Sequence, residues 1–309
     1  RMSDELLVTF WGTRGSIPTP GRLTEKYGGN TTCVEVRCGD ELILFDAGSG
    51  IRELGSSLLD RFAGKPVNAS LLFTHLHWDH IQGFPFFTCT YIPSNKFTIY
   101  GEERAAGGVK ELLSGQMAGD YFPIQISAMQ AELKFKTPSE EFQIGPVKIK
   151  TMQLPHPGGA LGYRLEAGDS VFVFATDCEL DSIALNKDEV AKNHLAPRRY
   201  EPAVLEFFKG AHLVVIDCQY TDQVYRQRVG WGHNSVATVV DLCEQVEPGM
   251  ISLFHHDPQS NDEMVTQMVD DISRRLARKN LRVLAFGARE GLTVKATKPK
   301  PAPALIAAH

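Results

Sequence analysis

Residues 74–83 read THLHWDHIQG and follow directly on the apolar run ASLLF. His75, His77, Asp79 and His80 thus fall within six consecutive positions. On one continuous helix these four costly polar groups would point to every face within two turns, which serves no packing purpose. A strand that ends in a turn treats them differently. His75 and His77 share a direction by the two-residue period of a strand, while Asp79 and His80 open the helix that follows. Such a splay can feed two neighbouring metal ions. Imidazole nitrogens together with a carboxylate suit zinc, with manganese or iron as the alternatives.

Partners for this cluster are expected at the ends of other apolar runs. LLVTFWG, LILFD, LLFTH, FTIYG, VKIKTMQL, VFVFATD, LVVID, ISLFH and LRVLAF all read as strands, several of which stop at Asp, His or Thr. His156 ends one such run in LPHPGG, Asp177 ends another in FVFATDCE, and the doublet His255–His256 ends a third in ISLFHHDP. A carboxylate at the end of an apolar strand is poorly tolerated unless it is paired or bound to metal. Helical periodicity separates some of the strands. Val236, Val239, Val240, Cys243 and Val246 form one stripe, with Asn234 or Ser235 as its N-cap. Val265, Met268, Val269, Ile272 and Leu276 form another, opened by a capping box from Ser260 to Glu263. Strands interleaved with helices in both halves predict an α/β layered architecture.

The 309 residues suit one large α/β domain or two ordinary ones. No linker interrupts the sequence, so residues 1–295 are expected to form one domain and the Pro/Ala-rich 296–309 a tail outside it, with His309 no ligand. A formal net charge of −5 disfavours a long nucleic acid or an anionic membrane as partner, and no apolar run is long enough to span a bilayer. Six cysteines without CxxC spacing read as buried reduced thiols, which suits a cytoplasmic location. No apolar leader with a small-residue cleavage site opens the sequence, and Arg1 before Met2 reads as a cloning remnant.

Taken in order, LILFDAGSG with Asp46, THLHWDH, LPHPGG, FATDC and LFHHDP resemble the signature of the metallo-β-lactamase-fold hydrolases along nearly the whole chain. The resemblance implies two β-sheets face to face with helices outside, a four-layer αβ/βα sandwich with a metal centre at one edge. It also implies two divalent ions. His75, His77 and His156 would hold one, Asp79, His80 and His255 the other, and Asp177 would bridge them, with His256 as the alternative to His255.

The branch is narrowed by further residues. His77 stands where redox members of the superfamily typically carry Glu, which favours hydrolysis, and Asp177 stands where two-zinc lactamases commonly carry Cys. GWGHNSVATVVDLCEQ resembles the ribonuclease Z and cyclic-phosphodiesterase branch, in which a His just before a helix acts at the leaving group with an upstream acid behind it. The matching residues are His233 and Asp217, which join Asp79 as the catalytic set. A helix N-terminus beside a His also favours a phosphate. Arg14 in WGTRGSIP, Asn30 in YGGNTTC and His256 are the candidate substrate contacts, with Arg164 a weaker one. The expected activity is hydrolysis of small or cyclic phosphodiesters, cyclic nucleotides or cyclic sugar phosphates, by water activated between the ions. The alternatives are a ribonuclease Z-like RNA nuclease, a lactonase or thioesterase, and a non-catalytic metal-binding sensor. APRRY alone supports RNA, and the resemblance admits a homodimer.

Overall fold

The computed structural model describes residues 5–103 and 107–297. Most of the expected tail, His309 included, and Arg1 and Met2 lie outside the described residues, although Ala296 is still fully buried and bonded to the Leu6 carbonyl.

Two seven-stranded sheets stack face to face. The first is built from β1 (Leu7–Gly12), β2 (Cys33–Cys38), β3 (Glu41–Phe45), β4 (Asn68–Leu72), β5 (Lys96–Tyr100) and β6 (Glu132–Lys136). The second holds β7 (Glu141–Ile144), β8 (Val147–Leu154), β9 (Ala160–Ala167), β10 (Ser170–Ala175), β11 (Leu213–Asp217), β12 (Met250–Phe254) and β13 (Leu284–Gly287). The last strand, β14 (Thr293–Lys295), returns to the first sheet beside β1. Each run read as a strand from the sequence contributes to one of these. In each sheet an antiparallel part gives way to parallel neighbours: β3 to β6 in the first, β10 to β13 in the second.

Three apolar cores make four layers. Val8, Phe10, Val36, Phe45, Tyr163, Phe172, Phe174 and Phe254 fill the space between the sheets. Outside the first sheet lie α1 (Ile51–Phe62), the single turn α2 (Trp78–Ile81) and α3 (Val109–Gln116); Leu54, Leu58 and Leu113 pack there on Leu44 and Leu71. Outside the second lie α4 (Lys187–Lys192), α5 (Pro202–Phe208), α6 (Asp222–Tyr225), α7 (Val236–Val246) and α8 (Asp262–Arg278). There Val239, Cys243, Met268 and Ile272 join Val214 and Ile216 in one core. The αβ/βα sandwich is the architecture that the resemblance implies.

Both amphipathic stripes form helices. Ser235 caps α7 by accepting from the Thr238 amide. At α8 the cap is Asn261, which accepts from the Met264 amide, and not Ser260 as the capping-box reading had it. Asx side chains are at least as good as Ser in that position, so the helix starts one residue later. All six cysteines are buried. Among the described residues no helix is long and apolar enough to cross a membrane.

The parallel strands position the site. β11 and β12 are buried along their whole length, as strands covered on both faces must be. Their registers pair Asp217 with Phe254 and Ala175 with Ile216, so Asp177, Asp217 and His255 emerge together at one edge. In the first sheet Phe45 pairs with Leu72, which brings Asp46 and the 74–80 segment out at the carboxyl ends of β3 and β4.

Candidate metal centre

The six-position cluster splays as its spacing predicts. His77 is the extended N-cap of α2, with φ −67° and ψ 159°, while Asp79 and His80 lie within that turn. His75 Nε2 and His156 Nε2 approach His77 Nδ1 to 2.9 and 3.1 Å. His255 Nε2 lies 3.0 Å from Asp79 Oδ2, and His80 Nε2 lies 3.3 Å from the same oxygen. Asp177 stands between the two groups. Its Oδ1 is 3.7 Å from His75 Nε2 and 3.6 Å from His156 Nε2, whereas its Oδ2 is 3.2 Å from His80 Nε2 and 3.3 Å from His255 Nε2. One oxygen therefore faces each triad.

Asp46, Asp177 and His255 all adopt left-handed backbone, with φ of 58°, 56° and 57°. Non-glycine residues pay for this conformation, and it recurs where the surrounding structure holds a functional group in place. Here it turns the residue after each strand across the sheet edge.

A second ring of partners orients the cluster. His80 Nδ1 lies 2.8 Å from Asp46 Oδ2, while Asp46 also accepts from the Thr74 amide and hydroxyl. Asp79 Oδ2 accepts from the Ser16 amide at 2.8 Å. That approach requires Gly15, since a Cβ there would stand 2.5 Å from His255 Nδ1. The Gln219 amide lies 2.9 Å from His255 Nδ1, and the Gly232 carbonyl 3.0 Å from His156 Nδ1. Ligand imidazoles in metal sites are held by such partners on the nitrogen that faces away from the metal.

The donor set fits divalent cations. Burial presses the His75 imidazole well below its ordinary range, with the neighbouring His80 adding to the effect, so it presents a neutral nitrogen. Around His80, burial acts in the same direction but is overcome by Asp79, Asp177 and Asp46, which hold it well above. Three buried carboxylates beside one imidazole call for more positive charge than the side chains supply. His80 Nε2 is itself buried without a hydrogen bond. His75, His77 and His156 can hold one ion, and Asp79, His80, Asp177 and His255 another.

His233 comes to the same place. Its Nδ1 lies 2.5 Å from Asp217 Oδ2, and its ring stacks on His255 at 5.0 Å and tilts against His156 at 5.4 Å. Burial alone would lower its pKa, but the charge and hydrogen bond of Asp217, aided by Asp177 and Asp79, lift it to about 9. Asp217 Oδ1 accepts from the Asn234 amide, which fixes the carboxylate.

Three expected substrate contacts are corrected. Arg14 is fully buried, and its guanidinium donates to the carbonyls of Gly28, Asp257 and Ser260, so it ties loops together beneath the site. His256 turns away from the cluster: its Nε2 meets the Ala288 carbonyl at 2.9 Å, and burial holds its pKa at about 3. It is thus the neighbour of the residue that joins the cluster, since His255 faces the centre. Asn30 donates to Glu290 and accepts from the Ser49 hydroxyl, which leaves it a loop brace. Arg164 likewise bonds Glu166 and the carbonyls of Phe207 and Lys209.

Sequence reasoning missed Glu179. This buried carboxylate accepts from the Gly230 and Gly232 amides and from the Tyr225 hydroxyl, and so fixes the turn whose Gly232 carbonyl meets His156. Its position two residues beyond Asp177 reads as a loop acid, and no local pattern distinguishes it.

A family model described as the β-lactamase superfamily domain matches residues 41–256, more than half of the chain. The chain belongs to this superfamily. Solved structures with the metallo-β-lactamase fold superpose over nearly all of it. One is YhfI from Bacillus subtilis, with a TM-score of 0.64 at 16% identity over 95% of this chain and 100% of that one. Another is a diphosphatase from the PhnP family, with a TM-score of 0.61 at 14% identity over 94% and 97%. Among curated relatives, the ribonuclease Z of Thermoplasma acidophilum is 25% identical over 302 residues, 85% of this chain and 90% of its own. As a member of the superfamily with this donor cluster, the chain is a metal-dependent hydrolase.

Proposed function

We propose that this chain is a phosphodiester hydrolase that works with two divalent ions, zinc first among them, and acts on small phosphodiesters such as cyclic nucleotides or cyclic sugar phosphates. The observation that carries the reading is the placement of Asp177, one carboxylate oxygen toward each triad, with His233 and Asp217 beside it. His75, His77 and His156 would hold one ion, and Asp79, His80 and His255 the other. Ions held in this way polarise a phosphoryl oxygen and supply a nucleophilic water near neutral pH. The rest of the chemistry belongs to the chain. Asp217 fixes the His233 ring through Nδ1, which leaves the Nε2 proton to be given to the departing alkoxide.

A second reading, an RNA nuclease, is favoured by the relative named ribonuclease Z. Two observations weigh toward the smaller substrate. The net charge is −5, and Arg198 of APRRY is a buried core residue that bonds Asp181 and Asp241 instead of joining a basic surface. The test is a panel of cyclic nucleotides, cyclic ribose phosphates, bis(p-nitrophenyl) phosphate, tRNA precursor, a lactone and nitrocefin, assayed with zinc and with manganese. The small phosphodiesters are expected to turn over fastest. Preference for tRNA precursor would establish the nuclease, preference for the lactone a carbon-ester hydrolase, and no turnover with either metal a binding protein.

A further inference from the structure

The sequence contains three tryptophans, and two of them lie exposed next to the metal centre. Trp78 sits between His77 and Asp79 with 71% of its surface accessible. Trp231, 56% accessible, precedes Gly232, whose carbonyl meets His156. Since His77 and His156 touch each other at 3.1 Å, the segments that carry the two indoles meet at the centre. The third, Trp11, is half-buried and bonds Glu35.

Trp231 is held out to solvent by several independent devices. The amides on either side of it, Gly230 and Gly232, are both gripped by the Glu179 carboxylate. Both glycines have positive φ, 86° and 88°, and a Cβ on Gly232 would collide with the His156 ring, so the turn admits only glycine there. The Arg228 guanidinium lies 4.2 Å from the centre of the indole and covers one face. A large apolar ring fixed in one orientation, with one face backed by a cation and the other left to water, loses little conformational freedom when a planar ligand settles on it. An aromatic platform beside a fixed positive charge is also the arrangement that recognises a base attached to a phosphate.

We propose that Trp231, backed by Arg228, is the platform on which the base of a mononucleotide-sized phosphodiester stacks while its phosphate enters the metal centre. The proposal deepens the phosphodiesterase reading and rests on it. It makes the base, and not the sugar, the main source of specificity.

The test has a binding arm and a kinetic arm. Indole fluorescence is titrated with adenosine 5′-monophosphate and with ribose 5-phosphate. Adenosine 5′-monophosphate is expected to quench and to bind at least about tenfold more tightly, a preference that Trp231→Ala abolishes, Arg228→Gln weakens and Trp231→Phe retains. In turnover, Trp231→Ala is expected to raise KM for adenosine 2′,3′-cyclic phosphate on the order of tenfold while leaving a base-free cyclic ribose phosphate unchanged. Equal affinity of the two monophosphates for the wild type would overturn the proposal. So would a Trp231→Ala effect of the same size on both cyclic substrates, or a Trp231→Ala protein that sediments as a smaller species than wild type, which would assign the indole to a second copy of the chain. If the wild type hydrolyses neither cyclic substrate, the phosphodiesterase reading falls and the fluorescence arm alone decides the platform. If it hydrolyses both without preference, the platform falls and the reading stands.

Discussion

The residues of the triad Asp79, His80 and His255 are all buried, whereas that of His75, His77 and His156 includes an exposed His77. Their outer partners differ in kind. The closed triad is braced by the buried Asp46 and Gln219 and by the Ser16 amide. The open one depends on a turn at residues 230–232 that is itself held by Glu179. Equal ligand counts therefore do not imply equal grip. An ion at the open triad is expected to leave first under chelation, and substrate is expected to enter from that side.

The strongest way to break the comparison is to remove what the triads share. Asp177→Ala is expected to cut kcat/KM on bis(p-nitrophenyl) phosphate by 10³-fold or more, on the order of losing a central electrostatic group, with metal content per chain falling at both triads. Activity close to wild type would disprove the bridging role. His233→Ala comes next, since its ring packs on a residue of each triad. It should slow substrates with alkoxide leaving groups about 10²-fold while barely affecting p-nitrophenolate release. A uniform loss on both would mean that His233 supports the fold or the metal instead.

Asp46→Ala sharpens the contrast. It should weaken one ion by roughly 10–100-fold, the scale for an outer partner of a ligand imidazole, and leave the second affinity in place. Calorimetric metal titration resolves the two. Glu179→Gln should give the smallest effect, about tenfold, confined to the weaker ion, because the amide keeps one acceptor but loses the other. If Glu179→Gln weakened the tighter ion, the assignment of the 230–232 turn to the open triad would be wrong.

These effects trace which parts of the site a linear reading can recover. His156, Asp177 and His255 are legible because each is a polar residue at the abrupt end of an apolar strand, where burial without a purpose is costly, and His75, His77, Asp79 and His80 because they crowd into six positions. The α/β layering is legible because buried parallel strands read as continuous apolar runs, whereas the two-sheet sandwich follows only from the resemblance. Arg14 shows the limit. Flanked by glycines it looks available, yet the carbonyls that claim it come from residues 28, 257 and 260, far apart in the sequence. Glu179 is hidden by the reverse effect, its partners lying some fifty positions downstream, at separations of 51 and 53 residues for the glycine amides. Trp78 lies within the first motif, but only the fold shows that it faces water. Local chemistry betrays ligands, whereas supporting roles depend on which loops meet.

The division of ligands between the sheets has a mechanical consequence. Asp46 and residues 75–80 all follow strands of the first sheet, while His156, Asp177 and His255 follow strands of the second. Each ion would thus act as a bolt through the sandwich, closing at one edge two layers that are otherwise held by side-chain packing. Folding and metal occupancy then become linked equilibria: an ion at a hundred times its dissociation constant adds about 2.7 kcal/mol to the native state. The melting temperature of this protein should rise with the logarithm of free zinc, and a ligand substitution that looks ruinous in zinc buffer should look mild in chelator.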